Sequence, residues 1–76
     1  MYAVLNEGEE IATFSGLEDV KKFVKQLRDE FTADEEYDME RYPCSYDEGY
    51  KAGAGFDEYF KDVYSVSQDV PVEQFL

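Results

Sequence analysis

Six apolar residues, Leu17, Val20, Phe23, Val24, Leu27 and Phe31, recur every third or fourth position through an otherwise polar stretch. That spacing follows the 3.6-residue period of an α-helix with one buried face, and no strand places all six on one side. Lys21, Lys22, Lys25 and Arg28 lie largely on the rest of the surface. Ser15 and Glu18 have the form of a capping box, in which the hydroxyl accepts from an exposed helix N–H and the carboxylate reaches back. Glu18 also precedes Lys21 and Lys22 by three and four residues, each pair worth about 0.2–0.5 kcal/mol. A helix is therefore predicted over residues 16–31, and the rest of the chain must cover its stripe.

Length limits what can do so. The chain has 76 residues, and a domain near this size buries only about 60% of its unfolded surface. One domain over residues 1–76 with one core is expected, without room for a deep substrate cleft. An apolar fraction of 43% and thirteen Phe and Tyr residues suffice for that core, so the chain is expected to fold despite its charge.

"YAVL" and "EIATF" read as short strands, and "NEGE" between them offers a glycine for a tight turn, predicting a β-hairpin over residues 2–14. After the first helix comes an acidic connection, residues 32–44. Thr32 with Glu35 forms a second possible capping box there, but segment 33–42 has a poor apolar stripe and stops at Pro43, so it reads as a short helix or a turn-like excursion. Ser45 with Glu48 is a third box, opening "YDEGYKAGAGFDEYFKDV". Tyr46, Tyr50, Gly53, Phe56, Phe60 and Val63 fall on one helical face there, while Asp47, Glu48, Glu58 and Asp62 fall on the other, with Lys51 among them. An acidic helix is predicted over residues 46–62. Gly53 and Gly55 each weaken it by about 1 kcal/mol relative to Ala, and they either let it sit close to the sheet or break it in two. "VYSVS" predicts a strand over 63–67. Residues 68–76 form a tail in which Pro71 ends regular structure and Phe75 and Leu76 are available to pack back. The predicted fold class is α+β: a small antiparallel sheet of about three strands with two helices on one face, order ββα(α)αβ.

Charge is unevenly placed. The chain carries 19 acids and 7 bases, a net of −12. Residues 29–62 hold twelve acids and three bases, a net of −9, whereas residues 1–28 have a net of −1. Tyr37, Tyr42, Tyr46, Tyr50, Tyr59 and Tyr64, six of the seven tyrosines, lie in or just after that acidic block. Such a chain is repelled by nucleic acid and anionic membranes and attracted to basic surfaces. The bases of the first helix read as a solvated face with local ion pairs.

Met1 to Glu10 has no basic region and no long apolar run, so no signal peptide is expected there. The run "YAVL" falls far short of the roughly 20 residues of a membrane helix. A single cysteine fits a reducing cytoplasm. Cys44 has no His and no nearby Lys to lower its thiol pKa, and is expected to be a partly buried, inert side chain.

Catalytic and metal chemistry find little support. Histidine is absent, which removes the commonest general base and transition-metal ligand. Asp34, Glu36, Asp38 and Glu40 alternate as in a calcium loop, but an EF-hand needs Gly at its sixth position and Glu at its twelfth, where this chain has Met39 and Ser45. Paired carboxylates such as Asp47 and Glu48 would need a cleft to work as acid and base. "GYKAGAG" lacks the order of a phosphate loop. No enzymatic activity, metal or cofactor is expected.

The block "DEEYDMERYPCSYDEGY" with the following "FDEYFKD" supports a different reading. Carboxylates three or four apart on a helix lie about 5–6 Å apart at Cβ, and a line of them can stand in for DNA phosphates, which come one per about 1.7 Å of duplex axis. Tyrosine suits the same surface, being rigid, large and able to stack on arginine. In length, charge and the placement of this block, the chain resembles the small acidic DNA-mimic proteins that phages use against host DNA-binding proteins. The resemblance implies binding to a basic host protein such as a nucleoid-associated protein, RNA polymerase or a nuclease, in the host cytoplasm, with helix 16–31 on the scaffold side. The partner-binding candidates are Asp34, Glu35, Glu36, Asp38 and Glu40, then Asp47, Glu48, Glu58 and Asp62, with Tyr37, Tyr42 and Tyr46. The alternative is a non-enzymatic interaction module, including a homodimer built through exposed tyrosines, whose charge serves solubility.

Overall fold

The computed structural model describes residues 1–76. Strand β1, Tyr2–Asn6, and strand β2, Glu9–Phe14, form the expected antiparallel hairpin. Glu7 and Gly8 connect them with φ of 52° and 87°. Positive φ at both central residues is the signature of a type I′ turn, whose twist matches that of the strands. Val4 pairs with Ala12 and Leu5 with Glu10, so Ile11 bulges out of register. Strand β3, Tyr64–Val66, pairs antiparallel on the other side of β1, giving the order β2-β1-β3.

Helix α1 runs from Leu17 to Arg41, 25 residues, and helix α2 from Phe56 to Val63. The α+β class and the order ββααβ are as expected. The core consists of Val4 and Val66 from the sheet, Val20 and Val24 from α1, and Phe56 and Phe60 from α2. Around it pack the half-buried Tyr2, Phe14, Phe23, Leu27 and Phe31. Phe75 and Leu76 of the tail also return to the core, from a short 3-10 turn at Val72–Phe75.

Several boundaries differ from expectation, each for a physical reason. The first helix does not stop at residue 31: residues 32–41, expected in an acidic connection, extend it without a break. Phe31 ends the apolar stripe because it ends the contact with the core, but Ala33, Glu35, Glu36, Met39 and Glu40 are good helix formers with or without burial. The helix ends when Pro43 forces Tyr42 out of helical geometry, to φ −130° and ψ 63°.

Of the helix predicted over 46–62 only the C-terminal part forms, as the eight residues Phe56–Val63, one residue past the expected end. Gly49 and Gly53 both have φ of 88°, a conformation in which a right-handed helix cannot continue. Residues 46–55 therefore form a chain of turns. None of the three capping boxes forms. The N-cap of α1 is Gly16, without a side-chain bond, which leaves Ser15 outside the helix; Thr32 is inside α1, and Ser45 lies in a 3-10 turn at Pro43–Ser45. Glu18 instead pairs with Lys21 at 3.6 Å. Cys44 is exposed rather than partly buried, because the turn that carries it projects from the end of α1.

Candidate functional site

Helix α1 is about 38 Å long at 1.5 Å per residue, close to the molecule's longest dimension of 43 Å. The radius of gyration is 13.9 Å, whereas a compact chain of this length has about 11 Å. The excess arises because only the first half of α1 lies on the core. Its second half extends beyond the sheet as an arm, braced on one side by the turns of residues 46–55.

The acids cluster on this arm. Asp29, Glu30, Asp34, Glu36, Asp38 and Glu40 are exposed. They occupy about 18 Å of helix axis, one carboxylate per roughly 3 Å, comparable to the 3.4 Å per phosphate along one DNA strand. Asp29, Glu36 and Glu40 fall on one line along the outer side, at helical steps of seven and four. Asp29, Glu30 and Asp57 are absent from the sequence-based candidates; the first two would have joined them had the helix been carried past Phe31. Two ion pairs form in the whole chain, Glu18 with Lys21 and Asp57 with Arg28, the latter at 2.8 Å. Of the twelve acids between residues 29 and 62, only Asp57 has a basic partner.

Glu35 belongs to a different structure. It is half-buried on the side facing the turns, where its Oε1 accepts from the Tyr50 hydroxyl at 2.7 Å and from the Gly53 backbone N–H at 3.1 Å. It fastens residues 46–55 to the helix. Tyr46 stacks on Tyr50 with ring centroids 5.5 Å apart. Both tyrosines lie against α1 and are not free to form a contact surface. Asp47 and Glu48 are exposed but sit in a turn, not on a helix face, so they do not continue the line of Glu58 and Asp62. Those two are exposed on α2.

At the tip of the arm Arg41 lies between Tyr37 and Tyr42. Its Nη1 donates to the Tyr37 hydroxyl at 2.8 Å, and its guanidinium carbon is 5.8 Å and 5.9 Å from the two ring centroids. Tyr37 and Tyr42 are 60% and 55% exposed, the most open aromatic rings of the chain. No helix is long and apolar enough to cross a membrane, and no three Asp, Glu or Cys side chains converge into a metal-holding group.

The turns also make a titratable joint. The Tyr50 pKa lies above the usual value of 10.0, chiefly because its hydroxyl is bonded to Glu35 and secondarily because it is desolvated. Tyr46 is raised from the same value by desolvation first and then by the Asp38 and Glu35 charges beside it. In both cases the folded state holds its proton more tightly than the unfolded chain does. Their stabilising contribution is complete below pH 10, and it is lost as pH rises through the higher folded values. Absorbance titration should show three phenols, Tyr46, Tyr50 and the partly buried Tyr64, ionising above the usual value of 10.0. In Glu35→Gln, Tyr50 should move back toward its ordinary value. An unchanged Tyr50 titration would show that Glu35 does not hold it.

Comparisons of the chain with protein-family models, with curated proteins and with solved structures found no match.

Proposed function

We propose that this chain is a DNA-mimicking inhibitor, which offers the acidic arm of α1 to the DNA-binding surface of a basic host protein and competes there with DNA. The observation that carries this reading is the unpaired state of the arm. Six exposed carboxylates follow one helix at nearly the charge spacing of a DNA strand, and no basic side chain of the chain forms an ion pair with them. Charge kept only for solubility needs no such concentration, and packing it on one helix costs like-charge repulsion at every i,i+4 step. The separation of roles supports the same reading. The first half of α1, with its lysines, holds the core, and the second half is free for contact. Such an inhibitor works without catalysis, by occupying the site in the cytoplasm of the cell that holds its target.

The test is capture of partners from bacterial lysate, followed by binding measurements on the captured protein. A basic DNA-binding protein should be retained, and added duplex DNA should displace it. Affinity should fall about tenfold or more between roughly 50 and 200 mM salt, as contacts made by charge require. The triple variant Asp29→Asn, Glu36→Gln, Glu40→Gln should lose most of this binding while its fold becomes no less stable. Partners indifferent to salt and DNA, or retention of further copies of the chain alone, would instead establish an assembly module, with Tyr37 and Tyr42 as its contact residues.

A further inference from the structure

A cleft of about 140 Å³ opens between α1 and α2. Phe31 and the buried Phe56 form its floor, Tyr59 and Tyr64 its wall, and the exposed Glu30 and Asp34 its rim. The Phe31 and Tyr59 rings are 5.2 Å apart and inclined at 31°, and Tyr64 meets Tyr59 edge-on at 6.1 Å. Glu30 and Asp34 are one helical turn apart, so their carboxylates open on the same side of α1. Neither is in an ion pair. Pockets for metabolites run to about 300–1,000 Å³; this one has room for the head of a single side chain.

We propose that the cleft receives the guanidinium of an arginine from the partner's basic surface, with the aromatic rings against its face and Glu30 and Asp34 at its edge. Arginine suits the site better than lysine. Its flat, weakly hydrated cation stacks on aromatic rings, and its fork of donors serves two carboxylate oxygens at once. The chain makes this arrangement with its own arginines. Arg28 sits 5.2 Å over the Phe56 ring while bonded to Asp57 at 2.8 Å, and Arg41 lies over Tyr37. The cleft repeats the same elements, rings beside carboxylates, with no arginine of the chain bonded to Glu30 or Asp34. It turns a diffuse acidic surface into one with a specific anchor, because long-range charge steers a partner but a desolvated arginine in a pocket holds it.

The source of the arginine rests on the mimicry reading, but the chemistry of the cleft can be tested without a partner. Nα-acetyl-arginine amide, the lysine amide and the norleucine amide are titrated into the intact chain and followed by NMR at ring and carboxylate carbons. The arginine compound should give saturable shifts at Tyr59, Tyr64, Glu30 and Asp34, with the lysine compound at least about threefold weaker and norleucine silent. Glu30→Gln with Asp34→Asn, both exposed and therefore neutral to folding, should weaken arginine binding about fivefold or more. Tyr59→Leu should do the same, and Glu36→Gln with Glu40→Gln should leave it unchanged. Shifts that grow linearly and spread over all the acids, equal binding of lysine, or indifference to the rim variants would each overturn the proposal. If arginine amide fails while DNA still displaces a captured partner, the cleft assignment falls and mimicry stands. If arginine amide binds but no captured partner yields to DNA, mimicry falls and the cleft stands.

Discussion

Phe60→Ala is expected to remove most of the stability of this protein. Phe60 is fully buried, stacks on Tyr64 with centroids 5.0 Å apart and touches the Phe56 ring at 5.7 Å. Only six residues are buried in the core, so no neighbouring layer can collapse into the space left by the ring. Truncating a core phenylalanine costs about 3–5 kcal/mol. At roughly 0.05–0.15 kcal/mol per residue, a chain of this length has about 4–11 kcal/mol in total. The melting temperature should drop by about 12–40 °C, at 4–8 °C per kcal/mol. Phe75→Ala, a half-buried position in the returning tail, should cost clearly less. Calorimetry on the two variants decides the matter. A cooperative transition within a few degrees of the parent for Phe60→Ala would mean that the core described above is not the one that holds the fold.

Gly53→Ala should detach the turns of residues 46–55 from the arm. Two independent effects oppose the substitution. The backbone has a φ of 88°, and an added Cβ would lie 2.3 Å from Thr32 Oγ1 and 3.3 Å from its Cβ and Cγ2. The first costs about 1–2 kcal/mol for an L-residue, and the overlap adds a further 1–3 kcal/mol or so. The chain can relieve both by breaking the Glu35 bonds and letting Tyr46 and Tyr50 swing into solvent. Amide exchange at position 53 should then accelerate to that of an open loop, and Tyr50 should titrate near its ordinary value. Thr32→Ala removes Oγ1 and Cγ2 and should be nearly silent alone. Combined with Gly53→Ala, it should recover the steric share of the loss and leave the backbone share, so the two changes should not be additive. A Gly53→Ala protein with unchanged exchange at this position would show that the turns do not dock on Thr32. Loosening the turns tests the arm as well, since they brace it on one side.

The fold was legible in the sequence wherever burial writes a period. Leu17 to Phe31 marks the core-facing half of α1, and Tyr2 and Val4, Phe14, and Tyr64 and Val66 mark the inner face of the sheet, because these apolar residues answer to neighbours in the core. The hairpin turn was legible for a different reason: Gly8 between two apolar runs offers the positive φ that a tight turn needs, while the positive φ of Glu7 is seen only in the structure. Apolar periodicity misled in the opposite direction at residues 46–55. Tyr46, Tyr50 and Phe56 are spaced like a helix face, but Gly49 and Gly53 turn the backbone between them, and the two tyrosines lie against α1 from outside.

The candidate site was legible as a composition and not as a shape. The local excess of acid between residues 29 and 62, and its effect on any basic or acidic surface nearby, follow from charge alone and need no fold. Which acids form the exposed surface was decided by tertiary structure. Residues 32–41 have no apolar stripe, so only the continuation of α1 past the core reveals that Asp29 to Glu40 share one rigid arm. Glu35 is chemically the equal of Glu36 in the chain, and the docking of Tyr50 and Gly53 alone makes one a fastening and the other a free charge. The cleft joins Glu30 and Asp34 to Tyr59 and Tyr64 across about 30 residues of chain, a distance over which no local pattern operates. Length, charge and the propensity of each segment are properties of the chain itself; which side chains meet, and therefore which are left free to meet a partner, is settled only when the two helices close over the sheet.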